Sequence, residues 1–142
     1  MKSEFHHIGY ATKSISISLV TFKALGYQKV GPIIVDELLG VRIQFIAQVN
    51  HDDAIIELVE NLPDAIEQPV SIILKQRSGA YHLAFMVDSI EKFSEMNSLR
   101  RINRCRPAVA FQGRHVQFFI SRDGGILELI SKSMNCECEH RA

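Results

Sequence analysis

The chain has 142 residues, 46% hydrophobic and 23% charged, which suits one domain or two small fused units with a sizeable core. Lys+Arg and Asp+Glu number 16 each, and this zero formal net charge argues against a nucleic-acid partner. No apolar run reaches the ~18 residues that span a bilayer, so no membrane role is expected.

Phe5 to Ala11 reads as a strand with alternating faces. In TKSISISLVTFKALG, Ile15, Leu19, Phe22 and, as a further member, Leu25 recur at helical spacing, with Thr12 or Ser14 as N-cap and Gly26 as the stop. Tyr27 to Val35, Val41 to Gln48 and Ala54 to Val59 are rich in β-branched and aromatic residues and read as strands. The order is β-α-β-β-β. Pro63 and Pro69 then mark a break, followed by VSIILKQRSG, read as a short linker helix. The pattern restarts with the strand YHLAFMV. The helix DSIEKFSEMNSLRR follows, capped by Asp88 or Ser89, with Ile90, Phe93, Met96 and Leu99 as an approximate stripe. RRINRCR (Arg100 to Arg106), the one basic cluster, reads as a solvated loop after this helix. PAVAF, RHVQFFIS and GILELIS read as three further strands. The expected organisation is one domain of two modules, 5–62 and 79–131, with a linker at 63–78 and a tail at 132–142.

The repeat extends to individual residues. His7 and Ser14-Ile15 match His82 and Ser89-Ile90 at an offset of 75. IQFI (Ile43 to Ile46) matches VQFF (Val116 to Phe119) at 73, and IELV (Ile56 to Val59) matches LELI (Leu127 to Ile130) at 71. Loop deletions would shrink the offset in such steps.

Each module thus places a His in its first strand and a Glu in its last: His7 with Glu57, and His82 with Glu128. Taken singly, a strand Glu points to solvent and a strand His is a structural residue. Four of them at equivalent places of a repeat point to a divalent metal, because an ionised carboxylate inside IIELV or ILELI needs compensation. Mixed N/O ligation suits Zn, Co, Ni, Mn or Fe(II) alike. Strand alternation sends His6 to the face opposite His7.

HHIGYA, IELVENL, YHLAFMVDSI and DGGILELI resemble the vicinal oxygen chelate (glyoxalase/bleomycin resistance) superfamily, from about Phe5 to Ser131. Within it the chain is most similar to methylmalonyl-CoA epimerases, through His7-Ile8-Gly9, Glu57-Leu58-Val59, QPVSIILKQRSGAYH and Leu127-Glu128-Leu129. The resemblance implies an α+β fold of two tandem βαβββ modules forming a cupped mixed sheet with helices outside. It implies His7, Glu57, His82 and Glu128 as metal ligands, and a homodimer. The implied activity is that of an isomerase or epimerase moving a proton at a carbon next to a metal-bound carbonyl, with Glu128 and then Glu57 as acid/base. The substrate would be a small molecule with carbonyl or carboxylate oxygens, an acyl-CoA among the candidates. A glyoxalase I-like lyase and a non-catalytic binding or resistance protein are the alternatives, although no anion-clamping arginine pair is evident for a glutathione-type reaction.

The chain departs from the epimerases where Leu38-Leu39 precede Gly40-Val41, in PAVAFQGRH, and at Ser121-Arg122, all on the substrate side. Gln44 and Gln117 occupy equivalent positions and either line the cup or lie on the outer face. Arg114 and His115 either meet an anionic group or form a surface turn. Cys136, Cys138 and His140 read as a frayed terminus. Three cysteines and no visible leader predict a cytoplasmic protein with reduced thiols.

Overall fold

In a computed structural model the residues described are 2–49, 51–64, 70–71 and 79–134, with the side chains of 51–54 excepted. The chain forms two compact units, His7–Tyr81 and Met1–His6 with His82–Ala142. The architecture is α+β; the β-α-β-β-β order holds in the first half, and in the second half two strands of two residues each stand where the first half has its one long strand after the helix.

In the first unit the strands are β1 (Ser3–Ala11), β2 (Tyr27–Asp36), β3 (Val41–Gln48) and β4 (His51–Asn61), with helix α1 (Ile15–Ala24) after β1. They lie in the order β2-β3-β4-β1, and only the β1–β4 pair is parallel. Ser14 is the N-cap: its hydroxyl accepts from Ile17 N at 3.3 Å, while Thr12 Oγ1 accepts from Ser14 N. Gly26, at φ 90°, adopts the left-handed conformation that releases the chain from the helix. The i, i+4, i+7 stripe packs as expected. Ile15 and Phe22 are buried with Ile46 and Leu58, and Leu19 packs against them, whereas Leu25 is exposed.

In the second unit the strands are β5 (Gly79–Val87), β6 (Arg100–Arg101), β7 (Arg106–Pro107), β8 (His115–Ile120) and β9 (Ile126–Ser131), with α2 (Ile90–Met96) after β5. The order is β5-β9-β8-β6, with β7 also on β8 and β5–β9 the parallel pair. Ser89 caps α2 through Lys92 N at 3.2 Å. Ile90 is buried with Val87, Phe119 and Leu129, and Phe93 and Leu99 pack against them. Met96 is exposed, because a spacing of three drifts around a helix of 3.6 residues per turn.

Three expectations are corrected. The helix read through Arg101 ends at Met96, and RRINRCR is not all loop, since Arg100–Arg101 and Arg106 lie in short strands on β8. PAVAF is not a strand: after β7 the chain makes a 3-10 turn over Val109–Phe111 and reverses through Gln112 and Gly113, both at positive φ. Pro107 brings no N–H, and the N–H groups of Phe111 and Gly113 both return to the Ala108 carbonyl, so this segment closes on itself. Nor is every thiol reduced. Cys105 is disulfide-bonded. An odd cysteine count still leaves room for one pair. Of the linker helix, only Val70 and Ser71 are described, and both are helical. Asn61 holds this piece by accepting from Val70 N at 3.0 Å and donating to Ser71 Oγ at 2.7 Å. The tail residues Cys136, Cys138 and His140 lie outside the described residues.

Candidate metal-binding residues

In the first unit, parallel pairing sets Gly9 opposite Glu57. Residues two apart on a strand share a face, so His7 lies on the face of Glu57. The His7 Nε2 and Glu57 Oε2 atoms are 3.5 Å apart, and both side chains are buried. Phe45, opposite Glu57 on β3, sets its ring edge-to-face against His7 at 5.7 Å.

The second unit repeats each feature. Ala84 is opposite Glu128, which puts His82 on the face of Glu128. The His82 Nε2 and Glu128 Oε1 atoms are 3.5 Å apart, again buried. Phe118, opposite Glu128 on β8, meets the His82 ring edge-to-face at 5.1 Å. Each unit thus holds one imidazole, one carboxylate and one supporting phenyl ring in the same register. Sequence reasoning misses Phe45 and Phe118, yet they sit inside the IQFI/VQFF match at the offset of 73 that the repeat displays.

Each pair is able to serve a metal. A neutral imidazole beside a buried carboxylate leaves a negative charge that a cation would offset. The 3.5 Å separation exceeds the usual hydrogen-bond range. Two donors ~2.1 Å from one ion lie ~3.0 Å apart at a right angle and ~3.4 Å apart at the tetrahedral angle. Imidazole nitrogen with carboxylate oxygen suits first-row divalent ions.

The other candidate residues have different surroundings. Gln44 lies opposite Leu58 and Gln117 opposite Leu129, and those leucines belong to the helix-packed cores, so both amides are on the pleat that faces away from the His–Glu pairs. Gln44 Nε2 donates to Gly31 O at 3.1 Å and Phe45 O at 2.9 Å, while Gln117 Nε2 donates to Asn103 O at 2.8 Å. Gly31 sits where β2 slips register against β3, and Asn103 sits between β6 and β7. Each glutamine therefore closes a carbonyl left open where the neighbouring strand is interrupted.

Arg114 folds over its own turn, donating to Gln112 Oε1 at 2.9 Å, to Phe111 O at 3.3 Å and to Lys132 O at 3.4 Å. His115 is buried at the start of β8 opposite Pro107. His6, which alternation separates from His7, packs edge-to-face on Phe111 at 5.2 Å.

Two βαβββ modules, each with a buried His and Glu on facing parallel strands, define a class, and comparison with known proteins agrees. Residues 6–118 match the model of the Glyoxalase/Bleomycin resistance protein/Dioxygenase superfamily, and the chain belongs to that superfamily. Among solved structures, the hypothetical protein BH1468 from Bacillus halodurans C-125 is 28% identical, with a TM-score of 0.77 over 96% of this chain and 99% of that one. Methylmalonyl-CoA epimerase from Mycobacterium tuberculosis is 20% identical, with a TM-score of 0.72 over 91% and 87%. A Streptomyces coelicolor methylmalonyl-CoA epimerase in complex with 2-nitronate-propionyl-CoA is 20% identical, with a TM-score of 0.71 over 92% and 94%. These likenesses carry the fold. No curated protein matches the chain. No helix among the described residues is long and apolar enough to cross a membrane.

Proposed function

We propose that the protein is a metal-dependent isomerase or epimerase that moves a proton on a carbon next to a carbonyl, and that His7, Glu57, His82 and Glu128 together hold one divalent cation. The observation that carries this reading is the duplication of a buried His–Glu pair in identical register, Gly9 on Glu57 and Ala84 on Glu128. Among the described residues these four make up the group of side chains able to hold a metal. A cation bound there would act as a Lewis acid on a substrate carbonyl.

The chain's own residues supply the remainder. Glu128 is the first candidate to take the proton from the substrate carbon and, once protonated, to give it back, with Glu57 the second, since acid/base work needs a carboxylate held within reach of that proton. Phe45 and Phe118 fix the imidazole planes and keep bulk water off them. The substrate class that fits is a small molecule with carbonyl or carboxylate oxygens. Acyl-CoA thioesters come first, because one epimerase with this fold binds 2-nitronate-propionyl-CoA. The reading takes the enzyme to be a homodimer, as its resemblance to the epimerases implies.

The test is elemental analysis of the purified protein together with solvent-deuterium uptake into candidate acyl thioesters. One transition-metal ion per chain and exchange at the α-carbon are expected. Glu128→Gln should weaken metal binding by roughly a hundredfold or more, since altering even the supporting shell of a ligand costs ten- to a hundredfold. It should abolish exchange even when metal is added in excess. A protein that takes up no metal, or a Glu128→Gln variant that exchanges as well as wild type, would overturn the proposal.

A further inference from the structure

Within the second unit, the strand register brings a cation onto the face that carries His82 and Glu128. Phe118 is opposite Glu128 and Ile120 is opposite Ile126 across β8–β9, while Arg100 is opposite Ile120 across β6–β8. Residues opposite one another, and residues two apart along a strand, share a face. Arg100 therefore shares the face of Phe118 and Glu128, whereas Arg101, opposite Phe119, belongs to the helix-packed face. Ile120 and Ile126, which stand between, are only half-buried, so this part of the face is open.

The charge here is one-sided. From residue 96 to residue 122 the chain carries Arg100, Arg101, Arg104, Arg106, Arg114 and Arg122 and no Asp or Glu. Arg100 is exposed, and among the described residues no carboxylate pairs with it or with Arg122. Arg122 is held to the segment entering β6 by Nη2 on Ser98 Oγ at 3.3 Å. The nearest acid in sequence, Asp123, has its carboxylate taken by the Ser121 hydroxyl and Gly125 N.

We infer that Arg100, seconded by Arg122, is an anion subsite that binds a phosphate or carboxylate at the far end of the substrate. This rests on the His/Glu reading above. Two strand spacings across and two residues along put the Arg100 and Glu128 backbones ~12 Å apart. The guanidinium covers part of that gap, and a chain of several bonds in the ligand must cover the rest. The inferred substrate thus carries its charge well away from the reacting carbon, which excludes a keto acid of three or four carbons. A guanidinium is suited to either anion because its fork of donors matches both.

Calorimetric titration of the full-length protein with three thioesters tests this. Propionyl-CoA carries distal phosphates, suberyl-pantetheine a distal carboxylate at the end of an eight-carbon acyl chain, and propionyl-pantetheine neither. Arg100→Gln should weaken one or both charged probes by roughly ten- to a hundredfold, the scale of a charge-assisted hydrogen bond, and leave propionyl-pantetheine unchanged. Arg122→Gln should do the same to a smaller extent, and Arg100→Lys should restore part of the loss. Which charged probe responds tells phosphate from carboxylate. Equal affinities in wild type and Arg100→Gln, an equal loss for the uncharged probe, or no binding of either charged probe to wild type would overturn the subsite. Metal content, measured on the same samples, separates the two ideas: anion binding that depends on Arg100 in a metal-free protein sinks the metal reading and leaves the subsite standing.

Discussion

Gln44 and Gln117 show how a single position acquires its role from the pleat it occupies. Their match in the repeat was legible in sequence. Their face was not, because alternation alone allows either side and only the pairing with Leu58 and Leu129 decides. Buried, with the amide of each closing a carbonyl where a strand is broken, they hold the sheet edge together. Gln44→Leu and Gln117→Leu should each cost about 1–3 kcal/mol in urea unfolding, the penalty for leaving buried polar groups unsatisfied. Exchange activity per folded molecule should stay within about twofold, since these amides face away from the His–Glu pairs. A loss of activity without loss of stability would return them to the substrate side. The histidines and glutamates were legible for the opposite reason: an ionisable residue inside an apolar run announces itself, and the repeat states it twice. The two phenylalanines stayed hidden because a phenyl ring in a strand looks like any other core residue.

The caps and long strands of the elements could be read from local chemistry, since Ser14 and Ser89 each precede an apolar periodic run and Gly26 follows one. The segment between α2 and β8 could not. Its pieces of strand are two residues long, and their pairing depends on β8, far along the chain. The stripe expected for α2 holds in part, which makes it measurable. Ile90→Ala should destabilise by about 2–5 kcal/mol, as a buried aliphatic does, while Met96→Ala should fall within about 0.5 kcal/mol of wild type. Thermal melts of the two variants decide which positions face the sheet. The β8–β9 turn supplies a pH dependence. The Ser121 hydroxyl, and then Gly125 N, hold the Asp123 carboxyl below its usual value. A carboxyl whose native value lies below its unfolded one contributes stability above the unfolded value and loses it as the pH falls through the native value. The turn should therefore persist at neutral pH and loosen only in acid, below the ordinary carboxylate range of about 4. NMR titration of the Asp123 side chain should give a midpoint below that range, returning toward it in Ser121→Ala.

For the whole molecule, the central question is whether two His–Glu pairs act as one ligand set. If they share a single ion, Glu57→Gln and Glu128→Gln should each remove most of the metal-induced rise in melting temperature. The double variant should then lose little more, since a site already broken cannot be broken again. Independent pairs would instead lose about half with each substitution and all with both. The measurement is a thermal shift against metal concentration in the four proteins of the cycle, with a chelator as the common baseline.

The two halves have drifted apart in length at chosen places. The spacing between counterparts falls from 75 to 73 between the helix and the middle strand, and to 71 between the middle strand and the last, while inside each strand it holds constant. The first loss lies before the second strand of the module, since α1 has 10 residues and α2 has 7, and the last lies at the Ser121 to Gly125 turn, because a residue gained within β4 or β9 would swing its carboxylate to the opposite side of the sheet. The chain can thus be lengthened or trimmed in its helices and turns while its paired acids stay in place.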